Sequence, residues 1–365
     1  MSIIVDAHED IAWNELCFGR NYLNSALEIR REEANGPVEA LNGVAMLGVP
    51  EWLKGGIAVI GATLFTPPER KRTSSLESYY NDEEEAHSLA ERQAEIYERM
   101  AQEHEQIKLI QTRADLEGVL GTWEDFDPAQ PEDAKRDERQ IGLVYLIEGG
   151  DSIREPAEVE EWYERGVRLI GPAWASTRYC GGTGEPGPLT AAGVELLRNM
   201  RRFPLVLDLS HMDDLAFFQA LDRYDGPVIA SHSNPRRLTS NLNRHLSDEM
   251  IKALVQHDGV IGTVIFNKFL LREWEHGYAK EAASVETVVR AIDAVCQLAG
   301  DARHAAIGTD FDGGFGMRST PAGFDTVADL PIIAPALKRR GYSAADIELI
   351  MNGNWLRILR QSLPG

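Results

Sequence analysis

Short apolar runs rich in Val and Ile recur along the chain, and most of them end in polar residues capable of chemistry. Runs followed by such residues lie at 2–10, 142–150, 204–211, 226–234, 259–267 and 304–313. Two further runs, at 56–65 and 167–174, lack an obvious metal ligand. Continuous apolar runs of this length are typical of parallel strands that are buried on both faces. The pattern therefore predicts eight strands.

Amphipathic stretches typical of helices separate most of these runs. The clearest lie at 192–201, 215–224, 248–257, 285–299 and 346–351. Alternation of strands with helices predicts an α/β protein of the (β/α)8 barrel type, the TIM barrel. A barrel with insertions reaches the 365 residues of this chain, so we expect a single domain over 1–365.

The segment at about 65–140 is too long to be a simple loop between the second and third strands. Within it we expect a helix over 75–106 and a minor strand at 107–110. Residues 127–139 are rich in Pro, Asp and Glu, which is typical of an exposed linker. The sequence thus predicts a helical insertion after the second barrel strand.

Charge and composition exclude several classes of protein. The 58 acidic residues exceed the 37 basic ones and give a net charge of −21, whereas a nucleic-acid binder needs a basic face. No apolar run approaches the roughly 20 residues of a membrane span, and residues 1–6 lack the features of a signal peptide. Cys17, Cys180 and Cys296 show neither disulfide nor CxxC spacing, so we interpret them as buried thiols in a reducing compartment, the cytoplasm.

The first strand ends in residues suited to bind a metal ion. In a barrel, active-site groups come from the carboxyl ends of the strands and the loops that follow them. His8 and Asp10 are two positions apart, so both side chains point to one face of the strand and Glu9 points away. An imidazole with a carboxylate is a common ligand pair for zinc. We therefore expect His8 and Asp10 to face the mouth of the barrel.

Three later strands end in similar residues. Glu148 follows an apolar run, where a carboxylate is costly to bury unless it is paired or bound to metal. His211 and His232 each follow a serine at the end of two successive strands. Since all these residues fall on one rim of the predicted barrel, the sequence predicts a metal site with the ligands His8, Asp10, Glu148, His211 and His232.

The number of candidate ligands indicates two metal ions. A catalytic zinc ion needs three protein ligands and a water, whereas five ligands that share a bridging carboxylate suit two divalent ions. Glu148 is the expected bridge, because the other ligands then divide as His8 with Asp10 and His211 with His232. Zinc is the expected metal, and mixed imidazole and carboxylate ligands leave manganese and cobalt open.

The last predicted strand places a further carboxylate on this rim. Asp310 lies in the stretch Gly308–Gly313, which also contains Asp312. A carboxylate beside the metal ions is suited to take a proton from water and deliver it to a leaving amine. We therefore expect Asp310 to be catalytic, together with Glu148 as the bridge. The alternative is that Asp310 and Asp312 only hold the turn.

These motifs together resemble the renal (membrane) dipeptidase family of zinc peptidases. The matching stretches are Asp6-AHED, Leu146-IEGG, Leu189-TAAG, Asp208-LSHM, Ile229-ASHSNPR, Ile307-GTDFDGG and Gly353-NWLRIL. The resemblance implies a (β/α)8 barrel with a dinuclear zinc centre held by the five residues above. It also implies that Asp310 transfers the proton and that Arg244 binds the terminal carboxylate of the substrate, a role that suits a bidentate guanidinium.

The sequence departs from the pattern of this family at two substrate contacts. Trp174 stands where the family has a histidine that contacts the substrate near the scissile carbonyl, and Phe266 replaces a tyrosine near the end of the seventh strand. Arg178 or Tyr179, in the loop after Trp174, are candidates to replace the lost polar contact. The departures leave the metal ligands intact but put ordinary dipeptide cleavage in question.

The residues and the resemblance favour a cytoplasmic, dinuclear zinc hydrolase that cleaves the amide bond of a dipeptide or an N-acyl amino acid. The expected partner is therefore a small-molecule substrate, with no nucleic acid and no membrane, and a homodimer is left open. One alternative is hydrolysis of another bond, such as a lactone, by the same chemistry. Another is a metal-bound binding module, because the loss of one polar donor at the scissile carbonyl can slow catalysis about 10²–10³-fold.

Overall fold

Eight parallel strands close into a barrel in the computed structural model, which describes residues 3–127, 134–239, 242–275 and 278–365. All eight are buried along their whole length, as their continuous apolar runs predict. The strands of the described residues are β1 (Ile4–Glu9), β2 (Ile57–Phe65), β3 (Ile107–Leu109), β4 (Ile141–Glu148), β5 (Val167–Gly171), β6 (Cys180–Gly182), β7 (Glu185–Leu189), β8 (Val206–Asp208), β9 (Val228–Ala230), β10 (Val260–Thr263) and β11 (Ala305–Ile307).

The barrel closes in the order β2-β1-β11-β10-β9-β8-β5-β4, with β4 pairing back to β2. The minor strand β3 pairs with the first residues of β4, whereas β5 pairs with its last residues. The remaining two strands, β6 and β7, form an antiparallel hairpin after β5 that the sequence patterns did not predict. The (β/α)8 barrel and the minor strand in the segment after β2 are thus confirmed.

Helices follow the barrel strands and cover their outer faces. They are α1 (Ile11–Phe18), α2 (Ala26–Glu33), α3 (Pro37–Asn42), α4 (Val49–Gly55), α5 (Glu83–Glu103), α6 (Arg113–Gly121), α7 (Val159–Arg165), α8 (Ala191–Met200), α9 (Asp214–Leu221), α10 (Asp248–Gln256), α11 (Asn267–Leu270), α12 (Val285–Ala299), α13 (Ile333–Arg340), α14 (Ala344–Glu348) and α15 (Asn354–Ser362). A π-helical turn, Leu349–Gly353, joins the last two, so the stretch predicted at 346–351 is not one regular helix.

Helix α5 is shorter than the predicted helix over 75–106. It begins after Asp82, whose carboxylate accepts a hydrogen bond of 3.0 Å from the backbone N–H of Glu85. Three glutamates in the first turn further favour this start, because the helix dipole is positive there. The loop that precedes the helix is therefore free to line the mouth of the barrel. Of the linker predicted at 127–139, residues 128–133 lie outside the described residues.

The segment between β1 and β2 carries four helices, α1–α4, that the sequence patterns did not predict. It is tied to the end of the barrel through the buried carboxylate of Asp312. Tyr22 donates to that carboxylate across 2.9 Å, Arg20 lies 3.4 Å from it, and the backbone N–H of Met46 donates across 3.0 Å. Asp312 therefore has a structural role, as in the alternative interpretation, but it holds the segment between β1 and β2 and not only its own turn.

One cluster of buried apolar side chains extends from Ile3 to Leu363, so the segment after β2 packs on the same core as the barrel. Cys180 and Cys296 are buried free thiols, but Cys17 is half-buried, which corrects the expectation for that residue. Among the described residues, no helix is both long and apolar enough to cross a membrane.

Candidate active site

The polar residues at the carboxyl ends of the barrel strands converge on one cavity of about 520 Å³. A cavity of this volume is in the range that binds small molecules. Its lining includes Asp10, Glu148, His211, Arg244 and Asp310. Polar residues that follow different strands in the sequence therefore lie at one cavity in the structure.

Glu148, His211 and His232 form one potential metal-binding group. Glu148 Oε1 lies 3.1 Å from His211 Nε2 and 3.2 Å from His232 Nε2, and the two nitrogens are 3.0 Å apart. Ligands at 2.0–2.1 Å from a tetrahedral zinc ion lie about 3.3 Å from one another, so the three atoms already have nearly this spacing. The donor set and its geometry fit a divalent metal ion.

A second group forms on the other side of Glu148. His8 Nε2 lies 3.5 Å from Glu148 Oε2, 3.9 Å from Asp10 Oδ1 and 3.9 Å from Asp310 Oδ1. This nitrogen is buried and has no hydrogen-bond partner among the described residues. Buried polar atoms normally have a partner, so a metal ion is a suitable partner for it. The two oxygens of Glu148 thus face two different groups of ligands, as a bridging carboxylate requires.

The protonation of these groups follows from burial and from their mutual charges. Burial opposes a charge on His8, but the carboxylates of Glu148 and Asp10 raise the pKa of His8 to about 10. Burial and the positive charge of Arg244 lower the pKa of His211 to about 4, and burial with the charge of His8 lowers the pKa of His232 well below its usual value. His211 and His232 are therefore neutral at pH 7, the state in which imidazole binds metal.

The carboxyl groups divide into two kinds. Burial alone would raise the pKa of Glu148, but the charge of His8 and the contacts with His211 and His232 hold it well below its ordinary value. Burial raises the pKa of Asp10 to about 6, against the opposing charge of His8. Burial also raises the pKa of Asp310 well above its ordinary value. Glu148 is thus the carboxylate of the cluster whose pKa favours the charged form.

Hydrogen bonds behind the cluster orient its side chains. The hydroxyl of Thr63 donates to Asp10 Oδ1 across 2.6 Å. The hydroxyl oxygens of Ser231 and Thr183 lie 2.8 Å from His232 Nδ1 and 2.9 Å from His211 Nδ1. Both histidines therefore have a partner at Nδ1 and present Nε2 to the cluster, an arrangement common among metal-binding histidines.

Backbone strain and a close approach mark the same place. His211 and Asp310 have φ of 64° and 60°, in the left-handed region that non-glycine residues rarely occupy. A Cβ on Gly313 would lie 2.2 Å from Asp310 Oδ1 and 2.8 Å from Asp10 Oδ2. Only glycine at this position lets both carboxylates occupy the rim of the barrel.

Arg244 lies at the same cavity and is buried, with 3% of its surface exposed. One guanidinium nitrogen donates to the backbone oxygen of His232 across 2.8 Å and another to the hydroxyl of Ser233 across 3.2 Å. The guanidinium also lies 5.2 Å from the ring centre of Phe269. Within the described part of the chain it has no carboxylate partner closer than 4 Å, and its Nε has no hydrogen-bond partner. A buried cation held in this way is suited to bind an anion.

The aromatic residues predicted to contact substrate also lie in the cavity lining. Trp174 follows β5, and its ring centre is 6.4 Å from that of His211. Phe266 follows β10 and stacks on Phe315 at 4.2 Å. The two candidates in the loop after Trp174 do not replace a polar contact. Arg178 and Tyr179 both donate to the backbone oxygen of Ile153, and neither residue lines the cavity, which corrects the expectation for them.

Several residues of the cavity were missed at the level of sequence. Phe65, which lines the cavity, and Thr63, which holds Asp10 from behind, lie two apart at the end of β2, a run interpreted as having no ligand. Alternation along that strand is a signal that could have identified them, because both side chains face the barrel mouth. Trp13, Tyr79 and Thr183 come from α1 and from loops, and no periodic pattern marks them.

The sequence of this chain matches a known protein family. The family model described as membrane dipeptidase, peptidase family M19, matches residues 1–363. A protein from the pqqA 5′ region of Klebsiella pneumoniae is 32% identical over 235 residues, which are 62% of this chain and 83% of that protein. Dipeptidase 3 of Rattus norvegicus is 26% identical over 268 residues, 70% of this chain but only 51% of its own length.

Solved structures agree with the barrel. The metallopeptidase of Rhodobacter sphaeroides, crystallised with a phosphinate mimic of the dipeptide L-Ala-D-Ala, is 21% identical and covers 99% of each chain with a TM-score of 0.76. At this identity the likeness concerns the fold. Because the family model spans almost the whole chain, this protein belongs to the membrane dipeptidase family, peptidase family M19.

Proposed function

We propose that this protein is a dinuclear metal-dependent hydrolase that cleaves the amide bond of dipeptides or N-acyl amino acids. One observation carries the proposal: a carboxylate that faces two groups of potential metal ligands shares a cavity with a buried guanidinium that lacks a carboxylate partner. The first feature suits the activation of water and the second suits the terminal carboxylate of a substrate.

His8 and Asp10 would hold one divalent ion and His211 and His232 the other, with Glu148 shared between them. Zinc is the metal we propose, because the imidazole and carboxylate donors and their spacing suit it. When bound, the ions would polarise a carbonyl and lower the pKa of water from 15.7 toward about 7.

The chain itself would then bind the substrate and move the proton. Arg244 would hold the terminal carboxylate by paired hydrogen bonds, which places the scissile carbonyl over the cluster. Asp310 would accept the proton of the attacking water and return it to the departing nitrogen, a role that suits a carboxylate whose Oδ1 lies 3.9 Å from His8 Nε2 at the rim of the cluster. Trp174 and Phe266 would form apolar walls and would exclude water from the cavity.

Amide hydrolysis is favoured over other bonds because relatives of this chain are named dipeptidases. Lactone hydrolysis is the second candidate, and Trp174 favours it. An indole donates one hydrogen bond and cannot carry a proton to a leaving group, and an alkoxide departs without prior protonation more readily than an amine does.

The test is a panel of dipeptides, N-acyl amino acids and lactones offered to protein loaded with zinc, manganese or cobalt. We expect turnover of the amide substrates, abolished by chelation and restored by metal. Turnover of lactones alone would replace the proposal with the second candidate. Failure of every substrate, with metal bound, would indicate a binding module.

The remaining proposals concern the protein as a whole. We propose that residues 1–365 form one domain with an insertion at about 65–140, which the continuous hydrophobic core supports. Location in the cytoplasm and a homodimer stay predictions. Size-exclusion chromatography with light scattering would decide the oligomeric state.

A further inference from the structure

Four aromatic side chains form one continuous wall of the cavity. They are Trp13, Phe65, Tyr79 and Trp174, here called the aromatic wall. Their rings meet edge to face: the centres of Trp13 and Phe65 are 5.2 Å apart, those of Phe65 and Trp174 are 5.0 Å apart, and those of Trp13 and Tyr79 are 6.5 Å apart. Such contacts fix the relative orientation of the rings.

The wall is attached to the barrel through Phe65, and Tyr79 is held within its own loop. Phe65 ends β2, and the side chain of Gln93 bonds both its backbone N–H, at 2.9 Å, and its backbone oxygen, at 2.6 Å. Gln93 is itself fully buried. The hydroxyl of Tyr79 accepts a hydrogen bond of 2.9 Å from the backbone N–H of Thr73 and donates to Glu77. The wall is therefore present before any substrate binds.

The wall lies on the side of the cavity where the amino-terminal residue of a bound dipeptide would lie. Phe65 is in register with Glu148 on the neighbouring strand, so the wall stands beside the cluster. Arg244 follows β9, which lies opposite β2 in the closed barrel, four strands away in either direction. A dipeptide is about 7 Å long when extended. With its carboxylate on Arg244 and its carbonyl over the cluster, its amino-terminal residue points toward the wall.

We propose that the aromatic wall is a subsite for an aromatic or large aliphatic side chain on the amino-terminal residue of the substrate. The inference rests on the proposed amide hydrolysis and names its substrate class. Aromatic rings offer apolar faces and edges that stack with another ring, whereas a carboxylate placed there would lose its hydration without a partner. The charge of Lys71, which also lines the cavity, is already paired with Glu185 at 2.8 Å.

The test compares kcat/KM of the metal-loaded full chain for Phe-Ala, Leu-Ala, Ala-Ala, Asp-Ala and Lys-Ala. We expect Phe-Ala to exceed Ala-Ala by about tenfold or more, the effect of burying one large apolar side chain. Tyr79→Ala should reduce this ratio, while Tyr79→Phe, which keeps the ring, should preserve it. Phe218→Ala, which removes a ring on α9 that does not line the cavity, is the matched control.

Whether the wall contacts the amino-terminal or the carboxy-terminal residue is tested with Ala-Phe and Ala-Ala. Tyr79→Ala should leave the ratio of their kcat/KM values unchanged. Equal kcat/KM for Phe-Ala and Ala-Ala would overturn the proposed subsite. A preference for Lys-Ala would overturn it too. Either result would leave the proposed amide hydrolysis unaffected. If neither these peptides nor the N-acyl amino acids are cleaved, the proposed function fails, and calorimetry decides the subsite separately. Equal dissociation constants for Phe-Ala and Ala-Ala would then overturn it.

Discussion

The hydroxyl of Ser231 donates to Asp208 Oδ2 across 2.5 Å, and both side chains are buried beneath the candidate metal cluster. The same oxygen lies 2.8 Å from His232 Nδ1. Because its hydrogen points to the carboxylate, the oxygen of Ser231 accepts from Nδ1–H of the histidine. This assignment leaves the lone pair of His232 Nε2 directed at the cluster.

Asp208→Asn should therefore weaken metal binding. The amide turns one acceptor into a donor, so Ser231 loses the partner that orients its hydrogen, and we expect metal affinity to fall about 10–100-fold. Competition with a chelator of known affinity measures this change. Asp225→Asn, which alters an exposed carboxylate, is the control. Unchanged metal affinity in Asp208→Asn, with the fold intact by circular dichroism, would show that the Asp208–Ser231 hydrogen bond does not contribute to metal binding.

The shared carboxylate predicts two metal ions per chain. Elemental analysis of the purified protein should find two, about 3.5–4 Å apart if a structure of the loaded protein is determined. Glu148→Ala should reduce the binding of both ions, whereas His211→Ala should mainly affect one. A single ion in the wild-type protein, retained in Glu148→Ala, would contradict the dinuclear centre.

Asp310→Asn should keep the metal and the fold but lose roughly 10²–10⁴-fold in kcat, because an amide cannot transfer the proton. Steady-state kinetics with the best substrate of the panel, alongside metal analysis of the variant, provide the measurement. The turn itself should survive, since Asp312 and not Asp310 bonds Tyr22 and Met46. Wild-type turnover would remove Asp310 from the mechanism.

Arg244→Met should lower kcat/KM for substrates with a free terminal carboxylate. It should leave kcat/KM for their amidated forms nearly unchanged. The reason is that the buried guanidinium has no carboxylate partner among the described residues, so its charge is available to the substrate. The readout is the ratio of kcat/KM for a dipeptide and its C-terminal amide. Lys268→Met, which removes an exposed cation from the same cavity, should not change that ratio. Equal rates for free and amidated peptides in the wild type would argue against this anchor.

Trp174→His should raise the activity toward simple dipeptides such as Ala-Ala without releasing metal. The ring of Trp174 stands 6.4 Å from that of His211, and an imidazole in its place restores a group able to donate, accept and carry charge. Kinetics and metal content are measured on the same preparation. If activity does not rise while the metal is retained, the cavity differs more widely, with Phe266 and the loop at 175–188 the next positions to change.

Local sequence determined the barrel and the candidate ligands. Every barrel strand is buried on both faces, so its residues form a continuous apolar run that is visible without a structure. His8, Glu148, His211 and His232 come at or directly after such runs, and the carboxyl ends of parallel strands meet at one rim. Periodicity and topology together therefore suffice to bring these residues into one group.

On the substrate side of the cavity, the resemblance named Arg244, Trp174 and Phe266, but only the tertiary structure showed which side chains surround them. The four rings of the aromatic wall come from α1, from the end of β2, from the loop before α5 and from the loop after β5. Arg244 is buried without a carboxylate partner among the described residues, whereas as a residue in a loop it resembles any surface arginine. Side chains in loops follow no period, so their meeting depends on long-range packing. Asp208 ends β8 and Ser231 directly follows β9, and only the pairing of these two strands brings their side chains within hydrogen-bonding distance.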